Sequence, residues 1–142
     1  MTTKEYLSQA YRLDQRIHSK LEQVSTLRSL AQKMTNSFGN EGGRGVRTQS
    51  PMENTIVKIM DLEREIDKEI DRLIDLKQEI MVVISSVEDI DCQLLLELRY
   101  LTFKTWEQIA ETMNFTLQWV YALHQKALSK IKLKDFSKID YN

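Results

Sequence analysis

Apolar residues recur every three or four positions along the first part of the chain: Leu7, Ala10, Leu13, Ile17, Leu21, Val24, Leu27, Ala31 and Met34. The mean step of about 3.4 residues predicts one long helix with a single coiled-coil-like stripe. A second stripe follows at Met52, Ile56, Ile59, Leu62, Ile66, Ile70, Leu73, Leu76, Ile80, Val83 and Val87, with a mean step of about 3.5. Ser50 and Glu53 have the spacing of a capping box, and Pro51 stands at the first helical position, where its missing N–H costs nothing. Each helix would be about 50 Å long at 1.5 Å per residue.

Residues 36–50 interrupt the pattern, and all four glycines of the chain fall within 39–45. Glycine loses the most freedom on ordering, so a loop is expected there. Such a connection lets the second helix fold back antiparallel on the first. Charge favours that pairing: residues 1–35 hold six basic and three acidic side chains, and residues 51–88 hold five and ten. A further apolar set on the second helix (Val57, Met60, Ile74, Val82, Ile84) leaves surface that needs cover. Residues 1–88 are therefore expected to self-associate into a homo-oligomer, or to dock onto the C-terminal helices.

The period changes in the last third. Thr105 and Gln108 form a capping box, and Ile109 and Met113 share one face. Ala110 sits where two helices would cross closely. Asn114 stands at a turn that asks for left-handed backbone, which Asn tolerates better than most residues. Phe115 would close the corner, and Thr116 can cap a second helix. On that helix Val120, Leu123, Ala127 and Ile131 give one apolar face. The motif core is thus Ile109, Ala110, Met113, Asn114, Phe115, Val120 and Leu123. The arrangement reads as a helix-turn-helix, whose second helix enters the DNA major groove. Leu117, Gln118, Tyr121, Ala122 and Gln125 take the outward, base-reading positions; Gln pairs with adenine, and Leu or Ala packs on a thymine methyl. Thr105, Thr116, Lys126 and Lys130 are the candidate phosphate contacts, and Lys132, Lys134 and Lys138 extend the basic run past Asp135. Trp119 falls between the apolar and outward faces. Stacking on the sugar-phosphate edge and contact with a protein partner are both open to it, while Trp106 caps the core.

The net charge of −1 does not advertise a nucleic-acid binder, so the uneven placement of charge carries the argument. Asp67, Asp71, Asp75 and Glu79 form an i,i+4 acidic row, but Arg64, Lys68 and Arg72 run beside it, which makes a solvated, salt-bridged face. No metal site and no cofactor are expected. His18 and His124 have no ligand-spaced neighbours and read as surface or groove-edge residues. The lone Cys92 lies beside Leu94 and Leu95 as a buried thiol and fits a reducing cytosol. Arg44 and Arg47 in the glycine-rich loop read as solvated charge, and those glycines lack phosphate-loop spacing. No nucleophile–base pair is visible, so an enzyme is not expected. Lys4 precedes no apolar run and no stretch of about 18 apolar residues exists, so neither a signal peptide nor a membrane span is expected.

The C-terminal segment resembles region 4 of bacterial sigma factors. Thr105-Trp106-Glu107-Gln108 matches the opening of that motif, Gln125-Lys126-Ala127-Leu128 matches its end, and Leu94-Leu95-Leu96-Glu97-Leu98-Arg99-Tyr100 resembles the helix before it. To about Leu133 the chain is also similar to small sigma-region-4-like proteins of phages and prophages of Gram-positive bacteria. The resemblance implies an all-α fold: a long antiparallel helical hairpin (1–88, loop 36–50), a helix-turn-helix domain (89–134) and a tail (135–142). It implies a cytoplasmic, sequence-specific transcriptional regulator that binds double-stranded DNA and acts with host RNA polymerase, and the dimer expected from residues 1–88 suits a helix-turn-helix protein. One departure favours an alternative. Leu117, Trp119 and Tyr121 stand where a sigma recognition helix carries arginines, which suits a module that binds polymerase or another regulator without reading DNA.

Overall fold

The structure is a computed structural model and describes residues 1–38 and 50–132. Among them it is all-helical, with α1 (Thr3–Phe38), α2 (Pro51–Ser85), α3 (Ile90–Tyr100), α4 (Trp106–Met113) and α5 (Leu117–Ser129). The expected loop begins later than its composition suggested, because Asn36, Ser37 and Phe38 still belong to α1. Most of the glycine-rich segment with Arg44 and Arg47, the lysines at 134 and 138, Asp135 and the tail 135–142 lie outside the described residues. The helix starts follow local chemistry. Glu5 N–H donates to Thr2 Oγ1 (3.1 Å), and Glu53 N–H donates to Ser50 Oγ (3.0 Å) ahead of Pro51.

The described residues group by contacts into two compact units: residues 15–72, and residues 1–14 together with 73–132. In the first, α1 and α2 run antiparallel, since Arg28 meets Glu63 while Arg16 and Lys20 meet Glu69. Ile17, Val24, Ile59 and Ile66 are buried along the seam. Lys20 Nζ lies 2.6 Å from Glu69 Oε1 and 3.6 Å from Glu65, and Arg16 reaches the same Glu69 oxygen at 3.2 Å. Arg16, Lys20 and Arg28 of α1 thus answer Glu63, Glu65 and Glu69 of α2 across the seam. Leu21, Ile56 and Ile70, expected in the stripes, are exposed. Two cylinders bury only a narrow strip on each, and residues at its margin stay wet.

The second unit has one continuous core. Tyr6, Leu7 and Ala10 from α1, with Ile80, Val83, Ile84 and Val87 from the end of α2, join Cys92, Leu95, Leu96, Tyr100, Ile109, Val120, Leu123, Ala127 and Ile131. Ile84, read as a member of the second apolar set, is 1% exposed and belongs to this core. Asp89 caps α3, its side chain accepting from Cys92 N–H. The α3–α4 loop carries Phe103 at φ 59°, a left-handed conformation that costs a non-glycine residue about 1 kcal/mol or more. Its ring is held edge-on by Tyr11 (centroids 5.5 Å apart) and lies 4.6 Å beneath Lys77 Nζ.

Helix α4 opens with the full capping box of Thr105 and Gln108 and ends at Asn114, which is left-handed (φ 58°, ψ 44°). Asn114 N–H donates to Glu111 O (3.2 Å) and Phe115 N–H to Ala110 O (2.9 Å), the two bonds of a Schellman motif. Replacing Asn114 by alanine should cost about 1 kcal/mol, and by glycine almost nothing, in a urea melt. Equal losses for both variants would show that the side chain, not the backbone angle, is what matters there.

Candidate nucleic-acid interface

The exposed side of α5 begins immediately after this turn. Thr116 caps the helix, accepting from Trp119 N–H at 3.1 Å. Val120, Leu123 and Ala127 face the core, which forces the opposite side outward. Gln118, Ala122 and Gln125, at i, i+4 and i+7, form one exposed stripe. Leu117, expected to point outward with them, is half-buried at the first turn. Trp119 and Tyr121 flank the stripe on opposite sides, about 160° apart around the helix at roughly 100° per residue. They are 54% and 46% exposed, which is high for such large rings.

Each flanking ring leans on a partner. Tyr121 meets Trp106 edge-on (5.7 Å), and the Arg99 guanidinium lies 4.1 Å from the Trp106 ring centre. Arg99 Nη1 also donates to Lys104 O at 3.0 Å. On the other side Trp119 meets Phe115 edge-on at 6.2 Å. Phe115 and Trp106 are half-buried and pack against the core, as do Ala110 and Met113, while Ile109, Val120 and Leu123 are fully or nearly fully buried.

The candidate phosphate contacts divide. Lys130 is exposed and caps α5 through its backbone. Lys126 is exposed but lies 3.5 Å from Asp89 Oδ2. The hydroxyls of Thr105 and Thr116 accept at the helix caps and keep a proton to donate outward. Arg99 and Asp89 carry charge to the edges of this surface and escaped the sequence reading of the motif. Asp89 had a legible signal, an Asp immediately before an apolar run, but as a cap rather than a counter-ion. Nothing in sequence announced that Arg99 would stack on Trp106.

His124 corrects an expectation. It is 3% exposed, not at a groove edge, and its Nε2 lies 2.6 Å from Tyr100 Oη beneath the Trp106 ring (4.6 Å). Burial, reinforced by Lys4 and Arg99, pushes its pKa down to about 4, so the ring is neutral at pH 7. Burial likewise pushes the Tyr100 phenol up to about 12. Helical period is compatible with this burial, since His124 lies i+4 from Val120 and i−3 from Ala127, and the tilted Trp106 ring of α4 covers it. Cys92 is fully buried, and burial raises its thiol pKa, which keeps it protonated. Among the described residues no cluster of three or more His, Cys, Asp or Glu side chains could hold a metal ion, and no helix is long and apolar enough to cross a membrane.

No curated protein and no solved structure matches the chain. Residues 33–132 match a family model described as a protein of unknown function, DUF1492, and that span runs from the end of α1 through α5. With most of its length matched, including the whole α3–α5 surface, the chain belongs to the DUF1492 family.

Proposed function

We propose that the chain is a sequence-specific DNA-binding transcriptional regulator, with α4 and α5 acting as a sigma-region-4-like helix-turn-helix and α5 entering the major groove. The observation that carries this reading is the stripe of Gln118, Ala122 and Gln125, left exposed on a helix fixed to its neighbour by a capped left-handed turn. Gln118 and Gln125 would pair with adenine edges, Ala122 would meet a thymine methyl, and Tyr121 would lie at the groove wall. Lys130, Lys126 and the cap hydroxyls would hold phosphates. The setting is a phage or prophage regulator in a bacterial cytoplasm, working with host RNA polymerase, with a homo-oligomer built through residues 1–88.

Selection of bound duplexes from random DNA tests the reading. Gln118→Ala should relax the selected sequence at one position, losing roughly 5- to 150-fold in discrimination there. Lys130→Ala should weaken all duplexes alike and make the slope of log K against log salt shallower by about 0.9. If neither variant changes a measured affinity, α5 does not face DNA.

A second reading has one observation in its favour, the exposure of Trp119 and Tyr121. Large aromatic rings anchor protein contacts. Here α5 binds polymerase or another regulator without reading DNA. Co-purification of polymerase that survives Gln118→Ala but not Trp119→Ala would favour it.

A further inference from the structure

Asp89 does two things with one carboxylate. Oδ1 accepts from Cys92 N–H at 3.1 Å and so caps α3, while Oδ2 lies 3.5 Å from Lys126 Nζ on α5. The cap fixes the carboxylate in place, and its own carbonyl accepts from Gln93 N–H at 2.9 Å. Lys126 is the mobile partner, a long side chain that remains 58% exposed against 30% for Asp89. It lies i+4 from Ala122 and i+7 from Trp119, along one margin of the exposed α5 face. The charge at Asp89 is secure near neutral pH: the Cys92 amide, and after it Lys126, holds the carboxyl below its ordinary value.

We propose that Asp89 is a built-in competitor for DNA phosphate, an internal counter-ion that keeps Lys126 from contributing its full charge to duplex binding. This rests on the DNA-binding reading of α5. A phosphate arriving at this margin must displace a carboxylate already in contact with the lysine, and that carboxylate, pinned by its cap, cannot withdraw. Lys126 therefore releases fewer counter-ions from DNA than an unpaired lysine would, and Lys130, one turn further along, carries more of the affinity. The effect is indifferent to base sequence. It lowers binding to every duplex and so limits residence on non-specific DNA without touching the base-reading stripe.

Asp89→Asn is the informative substitution, because Asn caps a helix as well as Asp does and leaves α3 in place. Binding of the full chain to a 20-base-pair duplex of mixed sequence would be measured across a salt series, for the parent, Asp89→Asn, Lys126→Ala and the double variant. Asp89→Asn should steepen the salt slope by up to about 0.9 and raise affinity by up to about eightfold at 0.1 M salt. In the Lys126→Ala background the same change should do almost nothing, since the two residues act as a pair. A gain of equal size in both backgrounds would mean that Asp89 acts only through the general field, and the proposal would fail. An unchanged slope in Asp89→Asn, with the parent binding normally, would also overturn it while leaving the DNA reading standing. No binding by any of the four proteins would remove the DNA reading and this inference together.

Discussion

Ile109→Ala should destabilise the unit formed by residues 1–14 and 73–132 by about 2–5 kcal/mol, the usual cost of truncating a fully buried isoleucine. Ile109 is 0% exposed and is the buried residue of α4. An eight-residue helix has no independent stability in water, so its place depends on packing. The capping box supplies about 1 kcal/mol, up to about 2, and does not replace that anchor. The urea midpoint should fall with the m-value unchanged. If the truncation costs less than about 1 kcal/mol, α4 is held by its caps and half-buried aromatics rather than by Ile109. Because α4 sets the position of the α5 face, the DNA binding proposed for that face should weaken wherever the folded fraction drops.

The second large effect is on pH. His124 has a folded pKa of about 4 against an ordinary 6.5. Above pH 6.5 the ring is neutral in both states, so it contributes no pH dependence. As pH falls through 6.5 the unfolded chain takes up a proton that the folded ring refuses, and stability drops until the folded ring titrates near 4. The full loss is about 3 kcal/mol at 1.36 kcal/mol per unit. Carboxylates titrate in the lower part of this window too. Asp89 loses its contribution as pH falls, and Glu79, raised by burial and by Asp75, moves the other way. The comparison must therefore be a difference curve between the parent and His124→Gln, in which those terms cancel. Stability of the parent should decline relative to the variant between pH 6.5 and 4. A flat difference would show that the imidazole is charged or hydrated in the fold.

Burial also explains why Tyr100 and His124 pair with each other. A neutral imidazole offers one donor and one acceptor nitrogen, so a hydrogen bond to the phenol satisfies a polar group on each of two helices inside a mostly apolar core. Replacing Tyr100 by phenylalanine would leave that imidazole nitrogen buried and unsatisfied.

Much of the architecture was legible along the chain because it depends on near neighbours. Ser50-Pro51, Thr105 with Gln108, Asn114 and Thr116 mark helix ends through bonds that span three to five residues. Their chemistry needs no tertiary context. The periodic stripes of α1 and α2 were legible for the same reason, although Leu21, Ile56 and Ile70 show that period locates a face and not its buried width. The α5 stripe was legible as the complement of Val120, Leu123 and Ala127.

What the sequence determined by itself was therefore local: five helices, the caps and left-handed turn that bound them, the opposed charges of α1 and α2, and which side of α5 is polar. Only the tertiary structure decided that residues 1–14 and the end of α2 share a core with α3–α5. It alone decided that His124 lies buried against Tyr100 and Trp106, that Arg99 stacks on that tryptophan, and that Lys126 is answered by Asp89. Those partners stand 7 to 37 residues apart in sequence. Helical period fixes where a side chain points around its own axis, but burial, ion pairing and ring stacking depend on what another helix brings to meet it.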